Sequence, residues 1–469
     1  MDKNLFMKRT VVTLMKFVFT AVQGIVFAFF WYGYYNNIMA TPYFKRGNFA
    51  LIGLYIVIFV VFGKLFGGYK VGVAKVQDII YSMSLAVIAT NLIAFLQLSL
   101  IQREFVPFTP LILMTVLGVL LSMAWAGVAN SLYSYIYPPK KLLVVYGDRN
   151  PSDFIRKLKS RRDKYNISEM ISINAGERRI LAKAKDYEAV VLWDLPDEFR
   201  NKLVKYCFEQ KIGCYLTPKV SDIILFGSEN LHLFDTPLVY CDNKGIKPEQ
   251  AMMKRIMDIV LSAIGIIAVS PFMLLAAAAI KLYDKGPVIY KQKRLTEGEK
   301  EFYIYKFRSM RVDSEKDGAI LAKKNDSRIT PVGNILRTLH IDELPQLFNI
   351  LKGDMSLVGP RPERREIMDK YSQELPEFPY RLRMKAGLTG YAQVYGKYNT
   401  TPYDKLKLDL YYIEHYSLKL DIKIILLTLK IFFQKETSEG VESWQRDAAE
   451  KRDGKITPLN NIKGEQVTV

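Results

Sequence analysis

Two adjacent acids, Asp342 and Glu343, open the stretch "DELPQLFNILKGDMSLVGPRP", and guanidinium groups crowd the sequence around them. Arg308 stands in "YKFRSM", Arg328 and Arg337 in "SRITPVGNILR", and Arg361 in "VGPRPE". Guanidinium matches phosphate oxygens two at a time, so arginines beside glycine and proline turns suit phosphate clamps. A carboxylate held among them stays ionised and can attack phosphorus, giving an acyl phosphate. Its acidic neighbour can hold magnesium, a hard cation served by one or two carboxylates together with substrate phosphate oxygens. The chemistry this set suggests is phosphoryl-group transfer, with Asp342 and Glu343 as catalytic residues, Glu343 as the magnesium ligand and Asp342 as a second candidate ligand.

The same pair also fits a plain helix start. Leu344, Leu347, Phe348 and Leu351 recur at i, i+3, i+4 and i+7, and Gly353 is placed to stop the helix. Asp342 then falls at or next to the N-cap, with Glu343 and Pro345 in the first turn. Such an N-terminus also offers N–H groups to an anion.

Other chemistries are poorly supplied. The 469-residue chain has three histidines and three cysteines, Cys207, Cys214 and Cys241, spaced as neither a zinc site nor a disulfide framework. A net charge of +19 alongside 50% hydrophobic residues points to membrane contact plus an anionic partner, and composition alone does not say which anion.

The elements that position the acids begin in a membrane. Apolar segments at Val11–Phe30, Phe49–Phe66, Ile79–Ile101 and Phe108–Ala129 each approach the roughly 20 residues a spanning helix needs. The first ends in "FFWYGYY", an aromatic belt rather than a cleavage site. Lys3, Lys8, Arg9, Lys70 and Lys75 put the N-terminus and the second connection on the cytoplasmic side, against Lys45, Arg46 and Arg103 in the opposite loops. Residues 1–136 are thus expected to be a four-helix transmembrane bundle.

Residues 137–248 alternate β-rich runs ("KLLVVYG", "EAVVLWD", "GCYLT") with amphipathic stretches, predicting a small, Rossmann-like parallel α/β domain. Gly147 stands alone where a dinucleotide fingerprint needs three glycines, so a structural or regulatory role is expected.

A fifth apolar stretch, Ile256–Tyr283, carries Ser270-Pro271 at its centre and basic flanks at both ends: Lys254-Arg255 before it, Lys281, Lys285, Lys291, Lys293 and Arg294 after it. Proline removes a helical hydrogen bond and should bend the helix, and both flanks favour the cytoplasm. A re-entrant hairpin meets both conditions if the freed backbone finds partners, for instance the Ser270 hydroxyl; the alternative is a kinked fifth span, which would strand the basic C-terminal half outside. Further on, "LKLDIKIILLTLKIFF" reads as an amphipathic interfacial helix, and residues 441–469 as a polar tail.

From Lys254 to about Gly440 the chain resembles the bacterial sugar transferase family, the monotopic polyprenyl-phosphate phosphoglycosyl transferases. Seven runs carry the resemblance in order: "MKRIMDIVLSAIGIIAVSPF", "GPVIYKQKRL", "FYIYKFRSM", "DSRITPVGNILR", "DELPQLFNILKGDMSLVGPRP", "AGLTGYAQVYG" and "DLYYIEHYSLKLDIKIILLTL". The N-terminal half is similar to the family's long form, four membrane helices followed by a CoA-binding-like domain. The resemblance makes residues 249–440 a mainly α catalytic domain containing the hairpin 256–283.

It also implies transfer of a sugar-1-phosphate from a UDP-sugar to undecaprenyl phosphate with release of UMP, the initiating step of exopolysaccharide, capsule or O-antigen assembly. By the same resemblance Asp342 is the nucleophile, Glu343 goes with Mg2+, Arg337 and Arg361 sit at phosphates, Lys254 and Arg255 anchor the hairpin, and Ser270-Pro271 is the helix-breaking pair. The implied place is the bacterial inner membrane, catalytic domain cytoplasmic. Expected partners are the two substrates and the bilayer, with a homodimer and other polysaccharide-assembly proteins as candidates, and no nucleic acid. The rival reading is an inactive membrane scaffold for the same assembly. The chain departs from the family's glycine-rich "QxRxGxxG" loop at Thr296 and Glu299, and carries Ala386 where proline is common.

Overall fold

The computed structural model describes residues 3–39, 45–147, 149, 151–242, 245–311, 328–396 and 400–432. The polar tail at 441–469 lies outside them. The chain divides into two compact units, Met1–Lys219 and Val220–Val469.

The first unit starts with helices α1 (Lys3–Phe30), α2 (Asn36–Ile38), α3 (Lys45–Leu65), α4 (Val76–Gln102) and α5 (Thr109–Ile136). The four long ones are each long and apolar enough to cross a membrane. Without a hydrophobic drive between helices in lipid, small and polar side chains must join them. Tyr55 donates to Asn91 Oδ1 (2.8 Å), Asn91 to Thr115 (2.8 Å), and Trp31 Nε1 to Asn48 (2.9 Å).

The same unit continues as β1 (Lys140–Tyr146), α6 (Ser152–Lys159), β2 (Tyr165–Ser172), α7 (Glu177–Ala184), β3 (Ala189–Trp193), α8 (Asp197–Glu209) and β4 (Gly213–Leu216). The strands form one parallel sheet in the order β2-β1-β3-β4. Leu142 to Val145 are fully buried, as a central strand covered on both faces demands. Strand β2, "YNISEMIS", was not legible as a strand, because its polar alternation carries little apolar signal. Gly147 has a local reason: a Cβ there would lie 2.2 Å from the Asp194 carbonyl oxygen.

The second unit holds α9 (Val220–Gly227), the hairpin β5 (Glu229–Leu233) and β6 (Thr236–Tyr240), and the 37-residue helix α10 (Pro248–Asp284). There follow the antiparallel pair β7 (Ile289–Leu295) and β8 (Glu301–Phe307), then α11 (Pro331–Thr338), a 3-10 turn at Ile341–Glu343, α12 (Gln346–Lys352), β9 (Ser356–Val358) and α13 (Arg365–Glu374). The described chain ends with β10 (Gly387–Thr389), α14 (Tyr391–Tyr395), α15 (Pro402–Glu414) and α16 (Leu418–Phe432).

The helix break expected at Ser270-Pro271 is not an interruption, since α10 runs through Pro271. Proline leaves the Ile267 carbonyl without its usual donor, and the Ser270 hydroxyl donates to that oxygen at 2.9 Å. One stripe of α10 faces the rest of the unit along most of its length. Lys254, Asp258 and Ser262 are buried, and Ile266, Val269, Met273, Ala276 and Ile280 join apolar clusters with α12, β8 and α11. The opposite face, Ile267, Leu274, Leu275 and Leu282 among others, is exposed and apolar.

Candidate phosphoryl-transfer site

Helix α11 is fixed at its start by its sequence. Thr330 caps it by accepting from the Gly333 N–H at 2.9 Å, and Pro331 occupies the first turn, where no N–H is missed. Gly333 allows a close approach: a Cβ there would sit 2.0 Å from the Ser309 carbonyl oxygen. Arg337, one turn on, donates from Nε to Ser309 Oγ at 2.9 Å. Arg308 and Arg328 belong to the same platform. The Thr330 N–H donates to the Ser309 carbonyl, Arg311 N–H to the Arg328 carbonyl, and Met310 bridges Ile329. The buried Arg308 guanidinium fills the space that a Cβ on Gly286 would take.

The helix leads into His340, whose φ of 53° turns the chain left-handed, and then into the acids. Here the expected cap is corrected. Asp342 and Glu343 lie in a 3-10 turn ahead of α12, and Pro345 holds the N-cap position. Pro345 has no N–H to bond back to Ile341, so i→i+3 bonds from Glu343 and Leu344 N–H close the turn. The apolar stripe is rotated too. Phe348 is exposed, whereas Leu347 and Ile350 are buried together with Asn349. Asn349 fastens α12 to β8, accepting from Tyr305 N–H (2.9 Å) and donating to the Tyr303 carbonyl (2.7 Å). Gly353 ends the helix as expected, at φ 98°.

The structure brings Glu343 together with one predicted arginine and one residue the sequence reading missed. Arg361 Nη2 (2.8 Å) and Lys306 Nζ (2.7 Å) both donate to Oε1 of Glu343. Among the described residues no hydrogen bond reaches Oε2. Burial works against ionising Glu343, but Arg361 and Lys306 overcome it and hold the carboxyl far below the usual range. Asp342 behaves oppositely: burial, then the Glu343 charge, push it up, while Lys306, Arg337 and His340 pull it back. Two adjacent carboxyls are thus driven apart, one firmly anionic and one more basic, as acid/base and nucleophilic sites require.

Behind Arg361 lies a buried network that no local pattern announced. Glu363 meets Lys405, Arg381 and Arg294. Arg381, 1% exposed, pairs with Asp409 and also donates to the Arg361 carbonyl at 3.0 Å. Burial opposes charge on Glu363, but Lys405, Arg381 and Arg294 hold it at about 2.

The predicted basic pair of α10 anchors the same region. Lys254 Nζ donates to Asp421 (2.6 Å), to the Val358 carbonyl (2.9 Å) and to Tyr412 Oη (3.2 Å). Arg255 caps α12 from its carboxyl end, donating to the Leu351 carbonyl (2.7 Å) and to the Ile350 carbonyl (2.6 Å), which also accepts the Gly353 N–H. Ser270 and Pro271 lie further along α10. The two departures from the family pattern meet each other: Thr296 Oγ1 accepts from the Ala386 N–H at 3.1 Å.

Comparison with known proteins covers the stretch of chain that forms this site. The sequence model of the bacterial sugar transferases matches residues 249–435. The UDP-N-acetylgalactosamine-undecaprenyl-phosphate N-acetylgalactosaminephosphotransferase of Aeromonas hydrophila is 40% identical over 54% of this chain and 62% of its own length. The UDP-glucose:undecaprenyl-phosphate glucose-1-phosphate transferase of Klebsiella pneumoniae is 35% identical over 59% of this chain and 56% of its own. The chain thus spans less than two thirds of these two relatives. That of Caulobacter vibrioides is 42% identical over 38% of this chain, and the match covers 68% of the relative. With that coverage, and with all seven sequence runs meeting in one unit, the chain belongs to the bacterial sugar transferase family.

Proposed function

We propose that the protein transfers a sugar-1-phosphate from a UDP-sugar to undecaprenyl phosphate, giving undecaprenyl-diphosphate-sugar and UMP, and so initiates a cell-surface polysaccharide. The observation that carries this reading is the split pair: Asp342 pushed up, Glu343 held anionic by Lys306 and Arg361. The Asp342 carboxylate attacks the β-phosphorus. The bond from that phosphorus to the bridging oxygen breaks, UMP leaves, and an aspartyl-phosphosugar remains. An oxygen of the lipid phosphate then attacks the same phosphorus and restores Asp342. Arg361, Lys306 and Arg337 offset charge on the phosphate oxygens, with Arg308 and Arg328 as further phosphate ligands.

Magnesium fits the donor set. Among the described residues no group of three or more His, Cys, Asp or Glu side chains forms a closed metal site. An open site of Glu343 Oε2, with Asp342 as second candidate, suits a cation that shares its shell with substrate oxygens. Bound there, it would supply charge neutralisation for the diphosphate.

The membrane arrangement extends the reading. Residues 1–136 act as a four-helix transmembrane bundle, 137–248 as a Rossmann-like structural or regulatory domain, and 249–440 as the catalytic domain at the cytoplasmic face of the inner membrane. The inward stripe of α10 supports a re-entrant role for 256–283, because a helix packed on a polar domain at both its ends returns both to one side. Its exposed apolar face then meets one leaflet.

The test uses the full chain with undecaprenyl phosphate, magnesium and a panel of UDP-sugars, scored by UMP release. One donor is expected to turn over, Asp342→Asn to release none, and labelled phosphosugar to remain on the wild-type protein when lipid is withheld. UMP release by Asp342→Asn at the wild-type rate would remove Asp342 as nucleophile.

A further inference from the structure

Gln346 is 3% exposed, and its Nε2 is buried with no hydrogen-bond partner among the described residues. Buried amide donors are almost always paired, and an orphan in a native site calls for a group that the protein does not itself provide. Its place says what that group is. Gln346 is the first residue of α12, three and four positions after Glu343 and Asp342, and Leu344 and Pro345 between them have helical backbone angles. At such spacing side chains lie on one face, about 5–6 Å apart at Cβ. Long side chains on a helix lean toward its N-terminus, which here is the acidic turn.

The same face continues backward in an ordered ladder along β8. Asn349, one turn further on, spends its amide on Tyr303 and Tyr305, and Glu343, one turn earlier, takes Lys306. Gln346 stands between two residues that each bond to that strand, and its own donor does not. A proline at 345 holds the residue at the helix start without adding a backbone N–H donor of its own.

We propose that Gln346 is a substrate-contacting residue whose Nε2 donates to a phosphate oxygen of the UDP-sugar at the phosphorus that Asp342 attacks. This rests on the proposed function and adds a neutral donor to a site otherwise built of cations. A neutral amide suits that position. It binds an anionic oxygen without lowering the basicity of Asp342 as another lysine would.

The orphan donor makes a test with two readouts of opposite sign. Gln346→Met is close in size and removes an unpaired buried donor, so the melting temperature of the full chain in nanodiscs should hold or rise, while kcat/KM for UMP release falls at least tenfold. Gln346→Glu keeps the shape, replaces the donor by an acceptor facing a phosphate, and should be less active than Gln346→Met. A lowered melting temperature in Gln346→Met, or kcat/KM within twofold of wild type, overturns the assignment; so does wild-type activity in Gln346→Glu. Stabilisation by the UDP-sugar alone supplies an arm independent of turnover. If wild type shows no UMP release but is stabilised by the nucleotide sugar while Gln346→Met is not, Gln346 is a ligand and the transferase reading fails. Equal stabilisation of both proteins removes Gln346 from the binding site.

Discussion

Arg381 and Asp409 form a buried ion pair, each 1% exposed at the side chain, joined Nη2 to Oδ2 at 2.7 Å and Nε to Oδ2 at 2.9 Å. The third arm of the guanidinium reaches Glu363, and Nη2 also holds the Arg361 carbonyl. The pair therefore fixes the backbone from which Arg361 reaches Glu343. Removing one member leaves the other charged and buried, at a cost of roughly 3–5 kcal/mol. Asp409→Asn is expected to lower stability by about that amount. Arg381→Lys keeps the charge but has no fork to hold both Asp409 and the Arg361 carbonyl. It should retain the fold and lose activity mainly in kcat, measured by UMP release. An unchanged kcat in folded Arg381→Lys would mean that Arg361 is held by other contacts.

The opposed shifts of Asp342 and Glu343 predict opposite dependences on pH. Glu343 and Glu363 are depressed, so the stability they contribute is present above the ordinary glutamate range and is lost as pH falls through it, toward about 2 for Glu363. Asp342 is raised, so its ionisation costs stability as pH climbs past the ordinary aspartate range. Activity through an ionised Asp342 accordingly rises with pH in that upper region. Lys306→Gln removes one of the charges that pull Asp342 down, and should move the acidic limb of the kcat/KM profile to higher pH. A limb that stays in place or moves down would separate Lys306 from the nucleophile.

What could be read from residues alone followed from local pattern. Four apolar lengths gave the four long helices of the first unit, the "KLLVVYG", "EAVVLWD" and "GCYLT" runs gave three of the four parallel strands, and Gly353 gave the end of α12. The acidic turn was half legible, since the apolar spacing located the helix, but the missing N–H of Pro345 moved its start past the acids. Lys306, Arg381, Asp409 and Asp421 were missed because nothing in its own segment singles any of them out from the other charges around it. Their partners lie far along the chain, 37 residues away for Lys306 with Glu343 and 167 for Lys254 with Asp421. Only folding makes such pairs, so no window of sequence contains them. Burial on both sides was the one signal available, and it is a property of tertiary packing.

Thr296 and Ala386 predict a coupled substitution. Thr296 Oγ1 donates to the Asp354 carbonyl at 3.1 Å and accepts the Ala386 N–H at 3.1 Å, so the hydroxyl joins β7 to the approach of β10. Ala386→Pro, the residue common in the family, removes that N–H and leaves the buried hydroxyl with one bond fewer. Thr296→Gly removes the hydroxyl and leaves the buried Ala386 N–H unpaired, at a cost of about 1–3 kcal/mol. The double variant strands neither the Ala386 N–H nor the hydroxyl, and only the Asp354 carbonyl loses its bond, as it already does in Thr296→Gly. Its destabilisation should be smaller than the sum of the two, with a coupling of about 0.5–3 kcal/mol in denaturant unfolding of the full chain. Strict additivity would show that the two departures are independent.

Lys254 and Asp421 carry the last prediction. They join α10 to the amphipathic helix α16, with side chains 6% and 0% exposed, and the same ammonium holds the Val358 carbonyl just before Gly359, Pro360 and Arg361. Tyr412 donates to Asp421 at 2.6 Å and closes the group. One buried charge thus ties two apolar helices to the strand that leads into the Arg361 loop. Burial raises Asp421 even though Lys254 and Tyr412 oppose it, so the carboxylate depends on those partners to stay ionised. Asp421→Asn keeps the shape and the Tyr412 contact but leaves the Lys254 ammonium buried without its counter-charge. Loss of the tether is expected to free α16 before it disturbs the acidic turn. Limited proteolysis in nanodiscs should therefore cut near 417–432 faster, and the KM for undecaprenyl phosphate should rise more than that for the UDP-sugar. Equal rises in both would place the effect on the acidic site itself and not on α16.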